Sequence, residues 1–155
     1  MKKFIILFLL STFSLVVTAQ NKTVKISELQ IGVLSCKYSM RIDLEKKDTI
    51  RYIYLGFQNA KYSSITDIKS VMFDVSKDST DVYDFKKDLK MALSEIGNKT
   101  SISWDKKNYS VALYDFNNKL YLREASKDGS GYTLLTKGQV EKLIDWIDII
   151  GFKNS

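Results

Sequence analysis

The sequence predicts an α+β domain in which a curved antiparallel sheet of about six to eight strands carries two amphipathic helices on one face. Three observations lead to this prediction. Apolar and polar residues alternate in several short segments, turn residues separate these segments, and two longer segments repeat apolar residues at helical spacing. The order of strands, helix, strands and helix indicates an α+β arrangement with antiparallel pairing.

Three predicted turns define the faces of the strands. Asn117-Asn118 suits a two-residue hairpin turn because asparagine tolerates a positive φ. Further turns are predicted at 105–108 and at Lys46-Lys47. The cross-strand pairs that follow are Tyr114 with Tyr121, Trp104 with Tyr109, and Leu44 with Thr49. Further strands are predicted at 68–75 and at 23–29.

In this register each hairpin has one aliphatic face. Its members include Cys36, Ile53, Leu55, Phe57, Val111, Leu113, Leu120 and Leu122. We expect this face to bury against the helices, whose apolar stripes need a partner. A shift of one residue in register would exchange the two faces.

The predicted helices have recognisable ends. Residues 79–81 can cap the first helix, and Gly97 follows its last turn. Thr136 and Gln139 form a capping box at the start of the second helix, and Gly151 ends it.

Residues 1–19 have the pattern of a secretory signal peptide. Two lysines precede the apolar run at 4–10, and the small residues at 17–19 form a cleavage site. A membrane anchor is disfavoured because the apolar stretch is shorter than the roughly 20 residues that span a bilayer. We expect cleavage after Ala19, one domain over 20–155, a periplasmic or extracellular location, and no integral membrane segment after cleavage.

Composition restricts the classes of function. The chain of 155 residues contains no histidine, and Cys36 is the only cysteine. Histidine-dependent nucleophile systems, histidine-ligated metal sites and an intrachain disulfide are therefore excluded, and no cofactor is expected. Removal of the two signal-peptide lysines lowers the net charge from +6 to +4. The basic residues are dispersed, so no nucleic-acid partner is expected, although some bias towards acidic partners remains.

The candidate binding site is the face of tyrosines and basic residues opposite the aliphatic face. Its residues are Tyr52, Tyr54, Tyr114, Tyr121, Arg41 and Arg123, flanked by Lys37 and Lys119. Tyrosine and arginine are favoured in binding surfaces because they offer broad, rigid contact and hydrogen-bond donors. Two alternatives stay open: these side chains only pair across strands, or the N-terminal strand covers them.

Carboxylates are the remaining candidates for catalysis. The acidic stretch at 74–88 begins like a calcium loop but lacks the required glycine and glutamate, so helix capping is favoured. Hydrolysis needs two acids about 5–10 Å apart with separated pKa values. The acids near predicted strand ends are Asp43, Asp105, Asp115 and Glu124.

The favoured interpretation is an exported bacterial binding domain without catalytic activity, which holds a protein, peptide or glycan. An immunity or inhibitor protein is one example. The alternatives are a carboxylate-dependent hydrolase and a carrier with a ligand cavity between helices and sheet. Two acids in a concave pocket would favour the hydrolase, whereas an exposed tyrosine patch would favour binding.

Overall fold

The computed structural model describes residues 22–44, 46–62, 64–98, 101–114, 118–125 and 131–151. The predicted signal peptide, Asp115 and Asn117 lie outside these ranges. None of the described helices is long and apolar enough to span a membrane.

The described elements consist of four strands followed by a helix, and this order occurs twice along the chain. The first set is β1 (Lys22–Ile31), β2 (Leu34–Asp43), β3 (Asp48–Gln58), β4 (Ile68–Asp74) and α1 (Thr80–Glu95). The second set is β5 (Ile102–Asp105), β6 (Tyr109–Leu113), β7 (Lys119–Glu124), β8 (Tyr132–Thr136) and α2 (Lys137–Ile150). This order confirms the α+β class.

The strands form two sheets and not one. Strands β1 to β4 make the first sheet and strands β5 to β8 make the second, each in sequence order and each antiparallel throughout. The predicted antiparallel pairing and number of strands are confirmed, but the strands divide into two sheets of four where the sequence predicted one curved sheet. Neither sheet closes into a barrel in the described residues.

Each predicted hairpin register differs from the structure by two residues. The observed pairs are Ala112 with Tyr121, Trp104 with Val111, and Ile42 with Thr49. The centre of each turn lies one residue from its predicted position, and a shift of one in the centre moves every partner by two. Because side chains alternate with a period of two, the faces are preserved.

The predicted aliphatic face is buried. The eight residues expected there, from Cys36 to Leu122, are each at most 2% exposed and belong to one continuous core. Four further members predicted for this face on the first hairpin fit less well. Tyr38, Met40 and Ile42 are half-buried, and Leu44 lies at a turn and is exposed. Ala112 and Ser39 are exceptions of the opposite kind, since both are buried on the face expected to be wet.

The helix pair contacts both sheets. Helix α1 packs against α2 and β6, and α2 also contacts β1, β7 and β8. The indole nitrogen of Trp146 in α2 donates to Ser27 Oγ in β1 at 3.1 Å. The capping box at Thr136 begins α2, as predicted. Gly97 and Gly151, both with positive φ, follow the last turns of α1 and α2, as predicted.

An aromatic cluster joins the first sheet, α1 and the second sheet. Phe85 in α1 lies between Phe73 in β4 and Tyr109 in β6, with ring centroids 5.1 and 4.8 Å away. The Tyr109 hydroxyl donates to the buried Asp88 carboxylate at 2.8 Å. Burial, together with this carboxylate, raises the pKa of Tyr109 far above its usual range, so the donor stays protonated.

Asn59 connects the two sheets through its buried side chain. Its Nδ2 donates to Asp67 Oδ2 at 2.7 Å, and its Oδ1 accepts from the backbone N–H groups of Lys61 at 3.1 Å and Tyr132 at 3.3 Å. The N–H of Ala60 donates to the carbonyl of Tyr132 at 2.8 Å. These bonds fix the end of β3 against the start of β8.

We predict that Asn59→Ala destabilises the protein by about 1–3 kcal/mol, because the N–H groups of Lys61 and Tyr132 lose their acceptor and Asp67 loses a donor. The exposed Asn98→Ala is the matched control and should change stability by less than about 0.5 kcal/mol. Denaturant unfolding of both variants measures the difference. Equal stability of the two variants would contradict the role assigned to Asn59.

Candidate functional site

The six predicted binding residues fall into two groups on two different sheets. We call the side of each sheet opposite its buried aliphatic side chains the outer face. Arg41, Tyr52 and Tyr54 lie on the outer face of the first sheet. Tyr121 and Arg123 lie on the outer face of the second sheet, and Tyr114 follows the last residue of β6.

The side chains of the group on the second sheet contact one another. The Arg123 guanidinium lies over the rings of Tyr114 and Tyr121, at 5.4 and 6.0 Å from their centroids, and donates to the Tyr114 hydroxyl. The Tyr121 ring meets Tyr114 edge-to-face at 4.8 Å and Tyr132 at 5.3 Å. The alternative of cross-strand pairing therefore describes this group well.

Tyr132 is a member of this cluster that the sequence analysis missed. It pairs with Arg123 across β7 and β8, and its backbone bonds to Asn59 and Ala60 hold it in place. Tyrosine, threonine and leucine at 132–135 could have indicated a further strand, but the segment does not alternate apolar and polar residues, so its pattern does not assign Tyr132 to the outer face.

The group on the first sheet is not occupied in this way. Within the described ranges, the side chains of Arg41, Tyr52 and Tyr54 form no hydrogen bond or ion pair with another residue. The surrounding outer face, assigned from the register, includes Thr23, Lys25, Glu28, Ser35, Lys37, Ile50, Gly56, Gln58, Ile68, Met72 and Asp74. Arg41, Tyr52 and Tyr54 thus remain available to a partner, whereas Glu28 on the same face pairs with two lysines and Gln58 donates to backbone carbonyls.

Two shallow depressions lie on the outer face of the first sheet. The larger, of about 630 Å³, is lined by Thr23, Arg41, Ile50, Tyr52, Met72 and Asp74. The smaller, of about 410 Å³, is lined by residues that include Lys37, Tyr54, Gln58 and Ile68. Tyr52 and Tyr54 are adjacent on this face, so the depressions lie side by side.

The Tyr54 ring lies along the sheet because residue 56 is glycine. A Cβ at Gly56 would be 2.5 Å from Tyr54 Cε1 and 2.8 Å from its hydroxyl oxygen. Any larger residue would therefore push the ring upwards, away from the sheet. Glycine in a strand often marks such a close approach, and here it keeps the outer face low in relief.

The N-terminal strand does not cover this face. Strand β1 pairs edge-to-edge with β2, from Lys22 opposite Ile42 to Ile31 opposite Leu34. It extends the first sheet at its edge, with a bulge between Lys25 and Ser27. The alternative in which the N-terminal strand lies over the tyrosines is therefore wrong for the residues of β1.

The carboxylates near the start of α1 serve the local backbone. Asp74 Oδ1 accepts from the Ser76 N–H at 2.9 Å, and Asp78 Oδ1 accepts from the Thr80 N–H at 2.8 Å. Hydrogen bonds from Ser76 and Thr80 lower the pKa values of these two aspartates. Among the described residues, no group of three potential ligands has the geometry of a metal site.

Acidic side chains line two surface depressions near the start of α1. Asp81 lines one depression with Asp84 and another with Asp74 and Asp78. The hydroxyls of neighbouring serines lower the pKa of Asp105. Within the described ranges, each carboxyl group with a displaced pKa is displaced downwards. A general acid needs the opposite displacement.

No protein-family model, curated protein or solved structure matches this chain. The function is therefore inferred from the residues of this chain and their geometry.

Cys36 illustrates how burial suppresses reactivity. The thiol is fully buried, and burial raises its pKa from 9.0 to about 12. At pH 8 the thiolate fraction should fall about a thousandfold relative to the unfolded chain, so alkylation by iodoacetamide should be slow until denaturant is added. Rapid alkylation of the folded protein would contradict this burial.

The same shift predicts a pH dependence of stability. Because the folded state favours the protonated thiol, its contribution is complete below pH 9.0 and is lost as pH rises to about 12. The free energy of unfolding should therefore fall over this window by more than in Cys36→Ala, which lacks the titrating group. Identical pH profiles of the two proteins would count against the shift.

Proposed function

We propose that the mature chain is an exported binding protein that acts without catalysis and holds a protein partner on the outer face of the first sheet. The observation that carries this proposal is the contrast between the two outer faces. Arg41, Tyr52 and Tyr54 have no bonded side-chain partner within the described residues, whereas Arg123 and its tyrosines are engaged with one another.

The apolar content of the face favours a protein over a glycan. Met72 is 58% exposed and Ile68 is 56% exposed, and Val33 is exposed beside them. Exposed aliphatic side chains that adjoin tyrosine and arginine are typical of protein interfaces. A glycan site needs polar side chains around an aromatic platform. Polar groups do surround Tyr52 here, but the exposed aliphatic side chains of Ile68 and Met72 favour a protein.

The absence of catalysis is supported by the composition and the carboxylates. In a chain without histidine, a carboxyl group with a raised pKa is a common way to supply a proton at neutral pH. Within the described ranges, Asp74 and Asp105 instead have lowered pKa values. A flat sheet face that covers a partner's surface is compatible with an immunity or inhibitor protein, and the signal-peptide pattern supports export.

A photo-crosslinking residue in place of Met72 tests the proposal in the cells that produce the protein. We expect crosslinks to a discrete protein from this position, and none from the same residue in place of Ile149, which is 81% exposed on α2. Crosslinks from Ile149 alone would contradict the proposal.

Two matched double variants separate binding from folding. Tyr52→Ser with Tyr54→Ser should abolish the crosslink while lowering stability by less than about 1 kcal/mol, because neither ring contacts another ring within the described part of the chain. Tyr114→Ser with Tyr121→Ser should keep the crosslink and lower stability by about 1–3 kcal/mol, because ring contacts are lost. The reverse pattern would refute the assignment of the site to the first sheet.

A further inference from the structure

The outer face of the first sheet is complementary to itself, and we propose that its partner is a second copy of this chain. This inference rests on the proposed function, because it names the partner of the same face. It begins from two opposite charges, Arg41 on β2 and Asp74 on β4, which lie on either side of the central strand β3.

The two charges are neighbours within one depression. Arg41 pairs with Ile50 across β2 and β3, and Asp74 pairs with Tyr52 across β3 and β4. Neighbouring strands are about 4.8 Å apart, so the charges flank β3 at a diagonal separation of about 10–12 Å. Arg41 has no ion pair in the described residues, and the hydrogen-bond partner of Asp74 is Ser76 of the following turn.

A two-fold axis close to the direction of β3 would satisfy both charges. Such an axis places β2 of one copy over β4 of the other, so Arg41 meets the partner's Asp74 and the contact occurs twice. Tyr52 and Tyr54 lie on the central strand and meet their own counterparts. The diagonal offset suits stacked sheets, whose strands cross at about 30°, and lies within the reach of an arginine side chain.

The relief of the face suits sheet-on-sheet packing, and its size sets the strength of the contact. Gly56 lets the Tyr54 ring lie along the sheet, so the ring does not stand up between two stacked faces. Strands β2 to β4 overlap about this axis, and three strands about 4.8 Å apart and about eight residues long present roughly 380 Å² per copy. Two copies would bury roughly 750 Å², which is below the roughly 1,000 Å² of a stable interface, so we expect a weak dimer that depends on concentration.

The charge balance of the face favours a second copy over a strongly acidic protein. Lys25, Lys37 and Arg41 are opposed by Glu28 and Asp74, and Glu28 forms ion pairs with both lysines, at 3.8 Å from Lys37. The net charge of the whole chain is therefore not concentrated here. Among the described residues Arg41 has no ion pair, and Asp74 of a second copy would supply one.

Reciprocal charge reversal tests this pairing. The variants Arg41→Asp and Asp74→Arg are each compared with the mature wild-type chain by sedimentation velocity over a wide range of concentration. Each reversal alone brings like charges together twice, and should weaken the dimer by about tenfold or more. An equimolar mixture of the two variants should restore the dimer, because each reversed charge then meets its opposite on the other chain.

Two controls keep the test informative. Lys119→Asp reverses a charge on the second sheet and should leave the dimer unchanged. Asp74→Asn retains an oxygen that can accept from Ser76 while removing the charge, so it should weaken the dimer even if Asp74→Arg disturbs that turn. Circular dichroism of each variant reports whether it has folded.

A wild-type chain that is monomeric at every concentration would overturn the inference, and so would a dimer insensitive to both reversals or a mixture that fails to associate. If the wild-type chain is monomeric while position 72 crosslinks to a different protein, the second copy is ruled out and the proposed function stands. If neither association nor crosslinking occurs at this face, both proposals fail.

Discussion

The phase of side-chain alternation in β3 is the constraint on which the rest of the structure depends. Ile53, Leu55 and Phe57 point into the core, and this leaves Tyr52 and Tyr54 on the outer face. A shift of one residue would expose three large apolar side chains, each at a cost of about 1.5–3 kcal/mol, and would force two tyrosines inside. The residues of β3 that pack in the core therefore determine which side chains of this strand lie on the outer face.

This phase could be predicted from the sequence even where the pairing was wrong. Each predicted turn was centred one residue away, which put Thr49 opposite Leu44 although it pairs with Ile42. Turn composition does not determine the centre of a turn, because lysine and asparagine are tolerated at neighbouring positions. A turn with an even number of residues nevertheless keeps aliphatic side chains opposite one another, so the faces did not depend on locating its centre.

The division into two sheets and the split of the candidate site could not be predicted. Alternation assigns a residue to a face, but it does not say which strands share a sheet. The contact between the two sheets is also non-local, since Asn59 at the end of β3 bonds to Tyr132 across 73 positions of the chain. The contacts of Arg123 also depend on tertiary structure, because its guanidinium lies over Tyr114, which is outside its own strand, as well as over Tyr121 of β7. The six predicted binding residues therefore form two groups in the structure. In one group the side chains contact one another, and in the other they remain available to a partner.

The phase of β3 can be measured directly by cysteine labelling. In the Cys36→Ala background, single cysteines are placed in turn at Tyr52, Ile53, Tyr54 and Leu55, and the rate of maleimide labelling of the folded protein is recorded. The structure predicts fast labelling at 52 and 54 and slow labelling at 53 and 55, in step with the exposure of these positions. Fast labelling at 53 and 55, or equal rates at all four positions, would contradict the phase and with it the outer face.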